Sequence, residues 1–210
     1  MNALVIGATG ATGKDLVEQL MEDDSFERVD VFVRRQLNIQ HDKLTVHVID
    51  FDRTDMWRDL VKGDVLFSCL GTTIKVAGSK EAQWKVDYGY QYEFAKAAKE
   101  NGVGRYVLVS AEFASPKARS FYSKMKGQLE EAVKELGFPK LTIIKRDRTF
   151  EVMGLKAIQF MNKAGLFRSQ QPLPTEELAM AMINSAKRTQ GDIEPLIGTA
   201  IRERASLKFD

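Results

Sequence analysis

The stretch Ala3-Leu4-Val5-Ile6-Gly7-Ala8-Thr9-Gly10-Ala11-Thr12-Gly13-Lys14-Asp15-Leu16-Val17-Glu18-Gln19-Leu20 decides the fold. Ala3 to Ile6 is a short apolar run bounded by glycine, as a buried strand is, and the residues after Gly13 carry apolar side chains at helical spacing. Between them the glycines follow the spacing G-x-x-G-x-x-G. Gly7 permits a tight exit from the strand, Gly10 lets the backbone approach a pyrophosphate, and Gly13 lets the helix pack against the sheet. The unpaired amides of the helix start, from Thr9 through Ala11 and Thr12, then face the phosphate charge.

Outward from this turn, short β-branched runs alternate with longer helical segments, the pattern of a parallel sheet covered on both faces. Strands are predicted at Ala3 to Ile6, Val29 to Val33, Leu44 to Ile49, Val65 to Cys69, Arg105 to Val109 and Leu141 to Ile144. Helices are predicted at Gly13 to Met21, Met56 to Val61, Lys80 to Asn101, Phe121 to Leu136 and Glu176 to Lys187, with Gly102 and Gly137 as stops and Thr175 as an N-cap. The fold class is α/β, a doubly wound parallel sheet in a single domain over residues 1–210, with a small substrate-side cap from about residue 150. Phe150, Met153, Phe160, Met161 and Phe167 in that last part read as core rather than pocket.

Composition narrows the function classes. The chain has 210 residues, 44% hydrophobic and 29% charged, with 31 Lys and Arg against 29 Asp and Glu, a net charge of +2. That balance is globular and gives no footprint for nucleic acid or a membrane surface. The basic cluster Lys117, Arg119, Lys124 and Lys126 reads as a solvated face. Cys69 is the one cysteine, and with His41 and His47 it makes a poor supply of metal ligands, so no metal is expected. The start Met1 to Gly7 is too short an apolar run for a signal peptide, and a cytoplasmic location is the expectation.

The second strand ends in Arg34-Arg35, about 20 residues beyond Gly13, where an NAD-selective site places an acid for the ribose 2′-hydroxyl. A guanidinium there grips a 2′-phosphate by paired, charge-assisted hydrogen bonds, so NADP(H) is expected over NAD(H). Asp50 and Phe51, after the third strand, sit at the level of an adenine edge. Asp50 would accept from the adenine amino group or else cap the next helix.

Tyr122 and Lys126 are four apart, which on a helix sets them on one face. Ser110, twelve positions upstream, ends a strand at the carboxyl edge of the sheet, where ligands bind in such folds. A lysine cation favours the phenolate of a tyrosine and brings it toward the range of proton transfer. Ser110 would hydrogen-bond a substrate carbonyl or alcohol, Tyr122 would exchange the proton, and Lys126 would also hold the nicotinamide ribose.

With these residues in view, the chain resembles the short-chain dehydrogenase/reductase superfamily over residues 2 to about 150. More narrowly, it is similar to the atypical branch that includes Tat-interacting-protein-like oxidoreductases and NmrA-like regulators. The resemblance rests on Gly7, Gly10, Gly13, Arg34-Arg35, Cys69-Leu70-Gly71-Thr72-Thr73, Trp84-Lys85-Val86-Asp87-Tyr88, Ser110, and Tyr122 with Lys126. It implies a Rossmann fold in which Leu70, Gly71 and Thr72 line the adenine ribose and Lys126 holds the nicotinamide ribose. Three departures stand out: Asp87 replaces an asparagine near the start of the long fourth helix, Ser110-Ala111 replaces a serine pair, and Asp147 and Arg148 replace a proline and glycine beside the nicotinamide.

The resulting expectation is an NADPH-dependent oxidoreductase acting on a carbonyl or alcohol of a small organic molecule, as a monomer or homodimer. The rival expectation, favoured by the charged run at Asp147, is a non-catalytic NADP(H)-binding redox sensor or regulatory scaffold. Sugar-nucleotide epimerisation ranks below both, since relatives of that kind carry a larger carboxyl-terminal domain.

Overall fold

A computed structural model of the chain describes residues 1–146, 173–189 and 195–209. Asn2–Ile6 (β1) is the central strand of a sheet in the order β3-β2-β1-β4-β5-β6-β7. The others are Arg28–Val33 (β2), Leu44–Val48 (β3), Val65–Ser68 (β4), Arg105–Ala111 (β5), Lys140–Arg146 (β6) and Leu196–Ile197 (β7). Every pairing is parallel. The order reverses at β1, with β2 on one side and β4 on the other, so a crevice opens at the carboxyl ends of β1 and β4.

Alternation along β1 divides the core. Ala3 and Val5 join Leu16, Val17 and Leu20 of Ala11–Glu22 (α1) on one face, and Leu4 and Ile6 join Trp57, Phe94 and Leu129 on the other. Both sets are buried, as a parallel sheet covered by helices requires. On the second face Trp57, which closes Thr54–Trp57 (α2), stacks on Phe94 with ring centroids 4.4 Å apart and donates its indole N–H to the Asp50 carbonyl at 3.1 Å.

The predicted helix from Lys80 to Asn101 is interrupted. After Ile74–Ala77 (α3), Lys80–Trp84 (α4) is α-helical, Lys85–Tyr90 is a π turn, and Gln91–Glu100 (α5) resumes the α form. A side chain holds the swollen turn: Gln91 Nε2 donates to the Asp87 carbonyl at 2.6 Å, and Ser68 Oγ on β4 donates to Gln91 Oε1 at 2.6 Å. Periodicity does not reveal such a turn, because the apolar residues on either side keep helical spacing.

Phe121–Glu135 (α6) starts at Ser120, whose hydroxyl accepts the Ser123 N–H at 3.1 Å. Thr175–Lys187 (α7) begins one residue earlier than expected: Thr175 is helical, Pro174 takes the cap position, and no side chain caps it. The predicted helix at Met56 to Val61 is the short α2 followed by a 3-10 turn over Arg58–Leu60. The described residues beyond 150 build onto the sheet. α7 buries Leu178, Met182 and Ile183 in the α1 face, β7 pairs with β6, and Thr199–Ala205 (α8) is tied to α7 by three carbonyls that accept from Asn184 Nδ2. Phe150, Met153, Phe160, Met161 and Phe167, like Asp147 and Arg148, lie outside the described residues.

Gly127 seats α6. A Cβ at that position would collide with the Ser115-Pro116 backbone, whereas one at Gly89 would meet nothing. Overpacking a close contact costs about 1–3 kcal/mol. Gly127→Ala is therefore expected to lower the melting temperature by about 2–4 °C per kcal/mol, with Gly89→Ala unchanged or more stable. Equal melting temperatures for the two variants would show that the contact does not bear on stability.

Candidate active site

The turn after β1 is shaped by backbone contact. Gly7 has φ +84°, and a Cβ there would stand 2.5 Å from the Cys69 carbonyl carbon. A Cβ on Gly13 would strike the Gly7 carbonyl, while one on Gly10 would approach only that carbonyl, at 3.4 Å. Gly7 and Gly13 are thus demanded by the fold, and Gly10 faces space. Gly10 is the N-cap of α1, and no side chain caps that helix and no acid stands in its first turn. Its first amides therefore remain available to a ligand.

Those residues open on a cavity of about 320 Å³ at the carboxyl edge of the sheet. Gly10, Ala11 and Thr12 form one wall, Leu70 and Gly71 after β4 another, and Ser110, Tyr122 and Lys126 a third. The expected trio is therefore brought to one site, with Ser110 and Lys126 buried and Tyr122 half-buried. Asp87, Cys69, Val109 and Arg146 complete the lining.

Other expected ligand residues lie apart from this cavity. Arg34 and Arg35 are exposed at the end of β2. The Asp50 carboxylate accepts the Asp52 N–H at 3.0 Å, a local turn before α2 and not a cap of that helix, whose cap position is Arg53. Phe51 is buried against Tyr90 and Phe94, with ring centroids 5.2 and 6.0 Å away, which leaves only its backbone to face a ligand. Asp52, rather than Asp50, reaches the π turn: it accepts from Lys85 Nζ at 2.7 Å and from the Tyr90 hydroxyl at 2.9 Å, and Lys85 above all holds its carboxyl below the usual range.

Asp87 takes a defined role. Its Oδ1 accepts the Thr72 N–H at 3.1 Å, and Gln83 Nε2 donates to the Thr72 carbonyl at 3.0 Å. Thr72 is therefore clamped on both backbone groups, and its loop is fixed against the π turn.

Glu130 was not legible in the sequence as a functional residue. It lies four beyond Lys126 on α6 and is buried. Its Oε1 accepts from Ser110 Oγ at 2.5 Å, and its Oε2 pairs with Lys145 Nζ at 2.9 Å. Lys145 also donates to the Ala114 carbonyl at 3.1 Å. The Y-x-x-x-K-x-x-x-E spacing, with the glutamate on the same helical face, was the available signal. Ser110 consequently spends its one hydroxyl donor on Glu130, which leaves its oxygen only the acceptor role toward any other partner.

Cys69 follows β4 rather than ending it, and its Sγ lies 3.7 Å from Met182 Sδ. Burial pushes its thiol up to about 12, against the pull of Lys126 and Arg146. The neutral thiol is a poor nucleophile.

Two measurements check these assignments. Iodoacetamide at pH 8 should leave Cys69 unmodified in the folded protein and label it once denatured, read by mass spectrometry; rapid native labelling would contradict the raised thiol. Glu130→Ala strands the Lys145 cation and is expected to cost about 3–5 kcal/mol in chemical denaturation. Glu130→Ala with Lys145→Met should recover much of that loss, and a double variant no more stable than Glu130→Ala would refute the pairing.

The profile of a family described as NAD(P)H-binding matches residues 7–139. A relative named protein FMP52, mitochondrial, from Meyerozyma guilliermondii is 33% identical over 98% of this chain and 95% of its own. The protein of the same name from Eremothecium gossypii is 42% identical over 69% of this chain and 65% of its own. Among solved structures, UDP-glucose 4-epimerase from Thermotoga maritima superposes with a TM-score of 0.71 at 15% identity, covering 95% of this chain and 77% of that one, a likeness of fold. The relatives' mitochondrial names overturn the cytoplasmic expectation, which had rested on the lack of a secretory start, a feature silent about mitochondria. The chain belongs to the NAD(P)H-binding family, has a Rossmann fold like that of the UDP-glucose 4-epimerase, and is a relative of the fungal FMP52 proteins.

Proposed function

We propose that this protein is an NADPH-dependent oxidoreductase acting on the carbonyl or alcohol of a small organic molecule. The observation that carries the reading is that Ser110, Tyr122 and Lys126 line one cavity with the Gly10 to Thr12 turn. The residues fit a dinucleotide: the start of α1 is uncapped, and Gly10 leaves room for backbone approach. A volume of about 320 Å³ matches the lower range of small-molecule sites. Arg34 and Arg35, exposed at the end of β2, support selection of a 2′-phosphate.

When bound, the nicotinamide supplies or accepts the hydride. Tyr122 gives its phenolic proton to the nascent alkoxide, or takes a proton from an alcohol. Lys126, one turn along the same face, favours the phenolate by its charge and holds the ribose. Ser110, its proton committed to Glu130, accepts from a substrate hydroxyl and so suits the alcohol state, leaving Tyr122 to donate to a carbonyl. The kinship with FMP52 proteins supports a mitochondrial location.

The same commitment of Ser110 favours a second reading, a non-catalytic NADP(H)-dependent sensor that regulates a partner. Both readings need the cofactor; only the first needs the Tyr122 phenol.

Calorimetric titration should show tighter binding of NADPH than NADH, and Arg34→Ala or Arg35→Ala should reduce that preference. Equal affinities in the native chain would remove the NADP preference. A screen of secondary alcohols and ketones is expected to give turnover that falls by about 100-fold or more in Tyr122→Phe with NADPH affinity kept, since positioned acid–base groups contribute about 10²–10⁴. Turnover unaffected by Tyr122→Phe would reject its role. A nucleotide-sensitive partner pull-down without turnover would favour the sensor.

A further inference from the structure

Ser110 is the penultimate residue of β5, and Lys145 is its register partner on β6, so the sheet sets the two side chains next to one another on one face. Glu130 reaches both from α6. Its Oε1 accepts from Ser110 Oγ at 2.5 Å and its Oε2 pairs with Lys145 Nζ at 2.9 Å, with the Glu130 and Lys145 side chains only 5% and 13% exposed. Lys145 is held from a second side by the Ala114 carbonyl, 3.1 Å from Nζ. One buried carboxylate thus spans two neighbouring strands beside the cavity that Ser110 lines.

The direction of these hydrogen bonds is forced by the groups that make them. An ammonium has only donors and a carboxylate only acceptors, so the serine is the donor toward Glu130 and has no second hydrogen to give. A substrate alcohol carries a hydrogen that the Ser110 oxygen accepts. A ketone carries none, and its oxygen would meet the Ser110 oxygen with no proton between them.

We propose that Glu130 and Lys145 are positioning residues that hold Ser110 as an acceptor, so that the site retains the alcohol state of its substrate in preference to the ketone. The proposal rests on the reading of this cavity as a site of alcohol–carbonyl chemistry, and it assigns the choice between the two states to residues that act through Ser110. An amide at position 130 tests it with almost no change of shape. Glutamine offers one oxygen and one NH2 group where the carboxylate offers two oxygens. Lys145, with donors only, draws the amide oxygen, so the NH2 group falls opposite Ser110 and donates to it. The serine hydrogen is then released, and Ser110 becomes a donor suited to a ketone.

The test is calorimetric titration of the full chain, loaded in turn with the two cofactor forms that cannot react: cyclohexanol into the NADPH complex and cyclohexanone into the NADP+ complex. The proteins compared are the native chain, Glu130→Gln, Ser110→Ala and the double variant, each with a melting curve. A neutral hydrogen bond is worth about two- to twelvefold in affinity. Glu130→Gln is expected to lower the ratio of cyclohexanol to cyclohexanone affinity by that factor, mainly through a gain for the ketone. Ser110→Ala and the double variant should share one ratio, because the glutamine then has no hydroxyl to turn. An unchanged ratio in folded Glu130→Gln would overturn the proposal, and so would a fall that persists in the Ser110→Ala background. Should Glu130→Gln melt below the assay temperature, Ser110→Ala decides alone: loss of the native ratio supports the proposal and an unaltered ratio overturns it. A native chain that binds NADPH but neither probe would overturn the proposal and leave the cofactor reading standing. Failure to bind either cofactor form would remove the cofactor reading itself, and this proposal with it.

Discussion

The constraint on which the rest of the site depends is the backbone-to-backbone contact at the end of β1. Gly7 turns with positive φ against the chain leaving β4, and the first turn of α1 rests on the Gly7 carbonyl at Gly13. A side chain at either position would push α1 off the sheet. The approach fixes how far the helix start stands from the β4 and β5 ends, and so the width of the crevice in which Ser110, Tyr122 and Lys126 meet. Gly10 sits in the same motif yet answers to a different demand, since nothing in the protein presses on it strongly.

Around this crevice, three carboxylates hold three loops. Asp52 fastens the loop after β3 to the π turn through Lys85 and Tyr90, Asp87 fastens the loop after β4 through the Thr72 amide, and Glu130 joins the end of β5 to Lys145 on β6 through Ser110. They do not contribute equally. The Asp52 bridge is solvated and contributes little, whereas the Glu130 pair is buried and would leave an uncompensated charge if broken. The buried pair also has a chemical consequence, because it determines which way the Ser110 hydroxyl points.

Much of the fold was legible locally. Six of the strand runs were marked by apolar, β-branched composition, and the seventh, Leu196–Ile197, was too short to show periodicity. The helix around Tyr122 was legible from its spacing, but its seating on the Ser115-Pro116 loop was not, because Gly127 gives no sign of what it faces. The π turn was hidden for a related reason: it is held by the Gln91 and Ser68 side chains, a contact between segments distant in sequence. The burial of the Phe51 ring in the aromatic cluster with Phe94 was not legible either, because it joins segments distant in sequence.

By itself the sequence determined the parallel α/β order, the glycine turn and the placement of a serine, a tyrosine and a lysine at one edge of the sheet, because strand period, helix period and glycine spacing are properties of neighbouring residues. Only the tertiary structure decided that Ser110 gives its proton to Glu130, that Asp87 clamps the Thr72 backbone, and that Arg146 crosses to Thr12. Each of those contacts joins elements whose separation is set by helix-on-sheet packing, and no spacing along the chain encodes it.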